Sequence, residues 1–434
     1  MQKKLSMFQI ILLAIFGALA DAGMLIFALA TAGGSNTGVG PVTVWGTLDA
    51  TEMQTVIRKA AETDPRLSSV TYVQKDAATY QSDLASALAS GSGPDVFIIT
   101  QDWAAKDSTL AYQIPYSSLP KDQFTNTFVQ SAAPFLGTDG VIAIPMLADP
   151  LVLYWDRDMV ASAGFAQPIR YWDELQTQTL KITQKDETGA IQKSAIALGE
   201  YQNVDNAKDI LATLIMQAGS PITTYDTSGR LISALASRGG VAGAAQAALD
   251  EFTMFSNPSQ QVYTWSQAQP DARQAFAAQQ LAYYIGYASE EPLIKQMNPN
   301  LNFAVSGMPQ IRSQASTASI DFAHVYGLAV SRQSQNQAGA LTVAYLLASN
   351  TISDQLSIVY GIPSARLDVL AQGAQGDQDL FNKMAIISRA WVDPDPSQTD
   401  PIFQTMIDNT TSGSDTSASA VLHADQSLTH ILGL

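Results

Sequence analysis

The stretch GVIAIPMLADPLVLYWDRDMVASAGFAQPIRYWDEL, from Gly140 to Leu175, is the part of the chain that decides the fold. Its hydrophobic pattern predicts an apolar strand over Val141 to Ile144 and a second apolar strand over Leu151 to Trp155. A proline break and an acidic turn at Asp149–Pro150 are predicted between the two strands, because both residue types favour turns. The stretch therefore predicts that the chain leaves one sheet here and enters another.

Two helices are predicted to follow the second strand. The first begins near Asp156 and ends at Gly164, because glycine adopts the left-handed C-cap conformation at little cost. The second opens around Trp172 to Leu175. This order resembles the crossover between lobes in the extracellular solute-binding proteins of ABC transporters, of the carbohydrate-binding type related to maltose-binding protein. Asp156 stands where that family usually has asparagine, and Tyr171 stands where it usually has threonine, so both departures are changes of helix caps.

The composition bounds the class of protein. With 434 residues the chain is long enough for two or three domains, and 46% apolar with 14% charged residues is typical of a globular protein. The formal net charge of −16 argues against nucleic acid, since no basic surface is available to neutralise phosphates. Cysteine is absent, which excludes disulfides, thiolate metal sites and a lipid-modified cysteine anchor.

The amino-terminal segment is predicted to anchor the protein in a membrane. Phe8 to Ala32 is almost wholly apolar and follows Lys3 and Lys4, which favours a single span with the amino terminus in the cytoplasm and the rest of the chain outside. The alternative is a signal peptide that is cleaved after Ala18-Leu19-Ala20 or Ala30-Thr31-Ala32, since both fit small-x-small cleavage sites. Either interpretation places the bulk of the chain outside the cytoplasm.

Strands and helices alternate after this segment. Strands are predicted over Val42 to Trp45, Val70 to Val73 and Asp95 to Ile99, with helices capped by Asp49 and Asp76. The apolar stripe of the first helix is Met53, Val56, Ile57 and Ala60, and that of the second is Tyr80, Leu84 and Leu88. Short connections between alternating elements predict a parallel sheet that is covered by helices on both faces.

The middle of the chain resembles the second lobe of the same family. Ala275 to Tyr283 echoes the family pattern Ala-Phe-x-x-Gly before a strand, with Gln279 in place of the glycine. The other predicted elements are helices at 202–219, 240–255, 271–279, 337–347 and 418–432, and strands at 281–285, 303–308 and 326–331. The resemblance implies an α/β, periplasmic-binding-protein-like fold of two lobes joined by a multi-strand hinge. The expected parts are an anchor at 1–33, a linker at 34–41, a first lobe at 42–147 plus 303–350, and a second lobe at 148–302 plus 351–434.

A ligand site is predicted where strands of an open parallel sheet end, since helix amino termini also point there. A sugar presents apolar ring faces and many hydroxyls, so its site needs flat aromatic platforms and paired acceptors and donors. The candidate platforms are Trp45, Trp103, Tyr154, Trp265, Tyr287, Tyr326 and Trp391, and the candidate acceptors are Asp102 and Asp149. The alternative for each aromatic residue is core packing, and for Asp149 it is a turn before Pro150.

Other motifs indicate neither catalysis nor a metal site. Asp393, Asp395 and Ser397 have the initial spacing of a calcium loop, but Gln398 occupies the position that requires glycine, so a helix-terminating turn is predicted instead. His324, His423 and His430 are too few and too scattered for a zinc or manganese site. No catalytic residue, metal or cofactor is therefore predicted.

The predicted function is capture of a sugar or oligosaccharide between two lobes and its delivery to the permease subunits of an ABC importer. The protein is expected to be a monomer without enzymatic activity. One alternative is a membrane-tethered module for carbohydrate sensing or adhesion on the same fold. Another is a glycan hydrolase that uses two carboxylates at the spacing this chemistry needs.

Overall fold

The computed structural model describes residues 39–236, 240–312 and 319–433. Within these ranges, no helix is both long enough and apolar enough to cross a membrane. The predicted span Phe8 to Ala32, with both alternative cleavage sites, lies outside the described residues.

The strands and helices alternate over most of the described chain. The strands are β1 Val42–Gly46, β2 Val70–Gln74, β3 Val96–Thr100, β4 Ile114–Pro115, β5 Gly140–Val141, β6 Ile144–Asp156, β7 Gln184–Lys185, β8 Ile191–Ile196, β9 Thr223–Tyr225, β10 Leu231–Ser233, β11 Leu281–Tyr287, β12 Phe303–Gly307, β13 Asp321–Val330 and β14 Ser388–Arg389. The helices are α1 Ala50–Ala61, α2 Tyr80–Ala89, α3 Ala104–Asp107, α4 Lys121–Thr127, α5 Arg157–Ser162, α6 Trp172–Ile182, α7 Ala207–Gln217, α8 Ala244–Thr253, α9 Ala272–Ala277, α10 Glu291–Met297, α11 Gln337–Leu347, α12 Asn350–Tyr360, α13 Leu367–Leu370, α14 Asp377–Ile387, α15 Pro396–Thr411 and α16 Ser417–Ile431.

The chain divides into two compact units, and each is assembled from separate stretches of sequence. Unit 1 contains the described residues up to Asp149 together with His324–Ile386, and unit 2 contains Pro150–Ala323 together with Ile387–Leu434. The chain therefore passes between units at Asp149–Pro150, inside β6, at Ala323–His324, inside β13, and again after Ile386.

Two of the predicted boundaries need correction. Residues 303–323 belong to unit 2, because β12 pairs antiparallel with β6, with Gly307 opposite Val152. Residues 351–386 belong to unit 1, where α12 packs against α1. Ser353 Oγ donates a hydrogen bond to Met146 O (2.8 Å), and Tyr360 Oη donates one to Asp49 O (2.7 Å). Hydrogen bonds and helix packing of this kind leave no sign in the hydrophobic pattern of the sequence.

The sheet of unit 1 contains both parallel and antiparallel pairs of strands. β1 lies between β2 and β3 and is parallel to both, and the unit-1 part of β13 runs antiparallel to β3, with Tyr326 opposite Thr100. Asp49 Oδ1 accepts hydrogen bonds from the amides of Thr51 and Glu52 and so caps α1. The predicted buried stripes of α1 and α2 are both confirmed. The predicted cap at Asp76 is wrong, since α2 begins after Thr79.

The sheet of unit 2 is mixed. β11 runs parallel to β8 and antiparallel to β6, while β12 pairs antiparallel with the opposite edge of β6. β9 and β10 form a separate hairpin, and β14 runs parallel to the first residues of β13.

The turn predicted at Asp149–Pro150 is wrong. Both residues lie inside β6, which runs without interruption from Ile144 to Asp156. Proline can occupy a strand at a position whose amide is not needed for the ladder, so its presence alone did not require a break. The following helix is as expected, because Asp156 Oδ1 caps α5 by accepting from the amides of Asp158 and Met159.

Candidate functional site

The predicted ligand site lies at the carboxyl ends of the parallel strands of unit 1. Trp45 lies near the end of β1, and Gln101 to Trp103 form a short 3₁₀ helix directly after β3. Because β13 is antiparallel to β3, its residue Tyr326 lies opposite Thr100, at the same edge. Three separate stretches of sequence therefore bring Trp45, Asp102, Trp103 and Tyr326 to one edge of one sheet.

Hydrogen bonds from neighbouring residues fix the backbone of Trp45 and Gly46. Tyr80 Oη donates a hydrogen bond to Trp45 O (3.2 Å), and Lys75 N donates one to Gly46 O (2.8 Å). A side chain at Gly46 would bring its Cβ within 2.8 Å of Tyr72 Oη, so glycine is required for this packing. The Lys75 ammonium lies 3.5 Å from the centroid of the Trp45 ring, so it occupies one of the two ring faces.

Both predicted acceptors lie near Tyr326. Burial raises the pKa of Tyr326, and the neighbouring carboxylates of Asp149 and Asp102 raise it further. Asp149 is 2% exposed and reaches this cluster from the unit-1 part of β6 rather than from a turn. The cluster of Asp102, Asp149 and Tyr326 combines two carboxylate acceptors with one phenol that can donate or accept.

Gln101 and His324 belong to the same edge, although the sequence did not single them out. The buried amide of Gln101 accepts a hydrogen bond from Val325 N at its Oε1 (2.5 Å), and its Nε2 lies 3.5 Å from His324 Nδ1. His324 Nδ1 in turn lies 4.0 Å from Asp102 Oδ1. The sequence did contain a sign of this arrangement. Alternate residues of a strand lie on the same face, and His324 precedes Tyr326 by two residues.

Tyr154 and Trp265 are core residues, which corrects their prediction as platforms. Trp265 is fully buried, and its Nε1 donates a hydrogen bond to Asn203 Oδ1 (3.1 Å). Tyr154 is also fully buried, with its ring stacked on Tyr284 at a centroid distance of 5.9 Å and its hydroxyl bonded to Tyr287 O (2.7 Å). Because both rings are enclosed in unit 2 and their polar groups are satisfied there, neither ring offers a face to a ligand.

Tyr287 and Trp391 are almost as deeply packed. Tyr287 ends β11 and donates a hydrogen bond from Oη to Asp209 Oδ2 (2.7 Å). Trp391 stacks on Phe403 at 5.9 Å, with Lys208 Nζ 5.6 Å from its ring centroid. Each is 7% exposed, so the structure presents little of either ring as a platform.

The Asp393 turn begins a helix instead of ending one. Asp395 Oδ1 accepts from Ser397 N (3.0 Å) and caps α15. Asp393 accepts hydrogen bonds from Lys208 Nζ (2.8 Å) and from Thr399 Oγ1. The ammonium of Lys208 therefore contacts the carboxylate of Asp393, the first residue of the calcium-like spacing. Across the residues the structure describes, no three acidic, histidine or cysteine side chains are grouped to hold a metal.

Glu200 and Tyr201 follow β8 at the carboxyl edge of the unit-2 sheet and were missed by the sequence analysis. Burial raises the pKa of Glu200, a hydrogen bond with Gln267 offsets this in part, and the charge of Asp408 raises the pKa again. Its Oε2 atom is buried and has no hydrogen-bond partner among the described residues. Burial, together with the charge of Asp400, raises the pKa of Tyr201 to about 12.

These features define an α/β binding protein, with polar and aromatic side chains gathered where the strands end. Residues 49–351 match the family model of the bacterial extracellular solute-binding proteins. Because the match covers more than half of the chain, the protein belongs to that family. This family is the one that the stretch from Gly140 to Leu175 resembles, and the resemblance is confirmed.

Solved structures of similar fold agree with this assignment. The sugar-binding protein MalE from Xanthomonas citri superposes with a TM-score of 0.71 at 14% identity, over 91% of this chain and 97% of that one. The cyclic α-maltosyl-1,6-maltose binding protein from Arthrobacter globiformis gives 0.72 at 16% identity, over 91% and 99%. The GacH receptor of Streptomyces glaucescens, solved unliganded and with acarbose, gives 0.69 at 17% identity, over 91% and 98%. At these identities the likeness establishes the periplasmic-binding-protein-like fold.

Proposed function

We propose that the protein is the extracytoplasmic substrate-binding subunit of an ABC importer and that its ligand is a sugar or an oligosaccharide. Membership of the extracellular solute-binding family supports the binding role. Structures of the same fold were solved with bound sugars, among them maltotetraose and α-D-tagatose, which supports the ligand class.

The observation that carries the proposal is the gathering of Trp45, Trp103, Asp102, Asp149 and Tyr326 at one edge of unit 1. An indole ring supplies a rigid flat face for the apolar side of a sugar ring at little entropic cost. A carboxylate accepts from sugar hydroxyls with charge-assisted hydrogen bonds, which are about twice as strong as neutral ones. This combination of groups is suited to a polyhydroxylated ring.

Four further parts of the proposal remain predictions. The protein hands its ligand to permease subunits, remains tethered by the segment from Phe8 to Ala32, acts as a monomer and carries out no covalent chemistry. The enzyme alternative requires a pair of carboxylates that cleave a glycan, so it is distinguished by released product.

A ligand screen tests the proposal directly. Full-length protein is heated with maltose, maltotetraose, cellobiose, xylobiose, D-tagatose and sorbitol, and the solution is assayed afterwards for cleaved sugar. A ligand at about one hundred times its Kd stabilises the native state by roughly 2.7 kcal/mol, so a bound sugar raises the melting temperature measurably. We expect stabilisation without product. Released product would favour the hydrolase, and stabilisation only by amino acids, peptides or metal ions would contradict the sugar assignment.

A further inference from the structure

His324 has no part in the function described so far, yet it lies within the cluster on which that function rests. Its side chain is 23% exposed and that of Asp102 is 20% exposed, although the Oδ1 atom of Asp102 is itself buried. The distance of 4.0 Å between His324 Nδ1 and Asp102 Oδ1 is too long for a direct hydrogen bond.

We propose that His324 contacts the ligand and that one ligand hydroxyl binds between His324 Nδ1 and Asp102 Oδ1. A hydroxyl oxygen makes hydrogen bonds of about 2.7–3.0 Å, so it can reach two atoms that are 4.0 Å apart at once. Asp102 Oδ1 is a buried atom without a hydrogen-bond partner among the described residues, and such an acceptor is costly to leave unsatisfied. The inference rests on the proposed function, because it requires a ligand that carries hydroxyl groups.

Gln101 determines where the imidazole stands. Its Oε1 accepts from Val325 N, and this bond turns its Nε2 towards His324 Nδ1. Gln101 is almost completely buried and directly precedes Asp102, so one amide fixes the end of β3 against the start of the unit-1 part of β13. In this structure Gln101 therefore holds the imidazole of His324 beside Asp102.

The chemistry of the bridge sets the protonation of the imidazole. The hydroxyl has one hydrogen and donates it to the carboxylate, which is the stronger acceptor. It then accepts from the imidazole, so bound ligand favours a His324 that carries a hydrogen on Nδ1. The contact with Gln101 Nε2, at 3.5 Å, is at the upper limit for a hydrogen bond and gives way to this stronger one.

The test compares His324→Ala and His324→Asn in the full-length protein. The asparagine amide can place a nitrogen donor near the position of Nδ1, whereas alanine places none there. The probes are the sugar from the panel above that binds the parent most tightly and its complete set of monodeoxy derivatives. Affinity is measured by titration calorimetry, with His423→Ala as a matched control, because His423 lies on α16 and contacts Asp415 instead.

We expect His324→Ala to weaken binding by about tenfold to a hundredfold and His324→Asn to restore part of the loss. One deoxy position should weaken binding to the parent more than binding to His324→Ala, because the variant has already lost the bond from the imidazole and keeps only the one to Asp102. A merely structural role for His324 would weaken all deoxy sugars alike. If His324→Ala binds the sugar as tightly as the parent and His423→Ala, the inference fails while the proposed function stands. If no panel sugar binds the parent, the proposed function fails and the inference fails with it.

Discussion

Gln279 shows how a single residue can depart from the family pattern without changing the turn. It occupies the position where the family has glycine, and its φ of +57° is the left-handed conformation that glycine favours. The loss of the glycine predicts that this turn forms in another way, and that prediction is wrong, because Gln279 itself adopts the left-handed conformation. Since a side chain costs about 1–2 kcal/mol there, the position stores a small amount of strain.

Gln279→Gly should stabilise the protein by about 0.5–1 kcal/mol, because part of this gain is offset by the greater freedom of glycine in the unfolded chain. Denaturant unfolding measures the change. Asn206 also has a positive φ, of 61°, but asparagine tolerates this region well and its Nδ2 donates a hydrogen bond to Glu290 Oε1 (3.2 Å), so Asn206→Gly is a control that should bring no gain. Equal gains at both positions would contradict the interpretation.

Asp321 is a buried carboxyl group at the start of β13. Burial raises its pKa well above the usual value, while the hydrogen bond from Phe322 N lowers it in part. Its Oδ2 is buried and has no hydrogen-bond partner within the described part of the chain. Because the folded-state pKa lies above the unfolded one, the stability contributed by this group is complete in acid and is lost as the pH rises through the folded pKa.

Asp321→Asn should therefore raise the melting temperature at pH 7, by at least about 2 °C for a penalty of 1 kcal/mol or more. The gain should vanish near pH 4, close to the ordinary aspartate pKa of 3.8, where the unfolded carboxyl group also takes up a proton. Asp226 provides a control of opposite sign. Hydrogen bonds from Ser228 and Arg230 lower the pKa of Asp226 to about 2, so Asp226→Asn should lose stability at neutral pH. A gain at Asp321 that persists in acid would contradict this account.

Individual aromatic residues were the least predictable part of the candidate site. Trp45 and Trp265 have similarly polar neighbours in the sequence, yet one lies near the end of β1 and the other is enclosed in the unit-2 core. What separates them is a tertiary contact, the hydrogen bond from Trp265 Nε1 to Asn203. Position at the end of a predicted parallel strand located Trp45, Asp102 and Trp103, because that rule depends only on strand order.

At the scale of elements, buried helix stripes were predictable and strand continuity was not. Met53, Val56, Ile57 and Ala60 recur at helical spacing, so periodicity alone identified the buried face of α1. The long strand β6 contains Pro145 and Pro150, although each proline predicts a break in the strand. Whether proline interrupts a strand depends on which amides the neighbouring strands need, and this information lies in other parts of the chain.

Lys208 joins two elements of unit 2 that are distant in sequence. It lies on α7 and contacts Asp393 (2.8 Å) and Asp400 (2.5 Å), close to the beginning of α15. Burial lowers the pKa of Lys208, but the charges of Asp393 and Asp400 outweigh this effect and raise the pKa above its usual value. The ammonium is thus held in its charged form between two carboxylates.

Lys208→Met should destabilise unit 2 by about 3–5 kcal/mol, because it leaves the carboxylate of Asp393 buried without its counter-charge. Urea unfolding followed by tryptophan fluorescence measures the change, since Trp391 lies beside this network. Lys383→Met is the matched control. It removes an exposed pair with Asp379 within α14, so it should cost no more than about 0.5 kcal/mol. If Lys208→Met loses as little stability as Lys383→Met is expected to lose, the buried network adds nothing to stability.

At the scale of the whole molecule, the family resemblance anticipated two units but not all of their boundaries. Each unit combines separate stretches of sequence, and α12 joins unit 1 through contacts with α1 and with the backbone of Met146. Contacts between residues about two hundred positions apart leave no local pattern in the sequence. The prediction that residues 351–386 belong to the second lobe was wrong for this reason. The ligand class depends in the same way on side chains that only the folded chain brings together.

The measurement that tests the central claim most directly is the affinity of full-length protein for the best-binding sugar of the panel. Titration calorimetry compares the parent with Asp102→Asn and Asp149→Asn, which keep side-chain shape and remove the charged acceptors. The amide of asparagine keeps one acceptor oxygen but loses the other and the negative charge that strengthens both bonds, at a cost of about 1–3 kcal/mol, so each variant should bind about fivefold to a hundredfold more weakly while its melting temperature without ligand stays close to that of the parent. Variants that bind the sugar as tightly as the parent, or a parent that binds none of these sugars, would contradict the account.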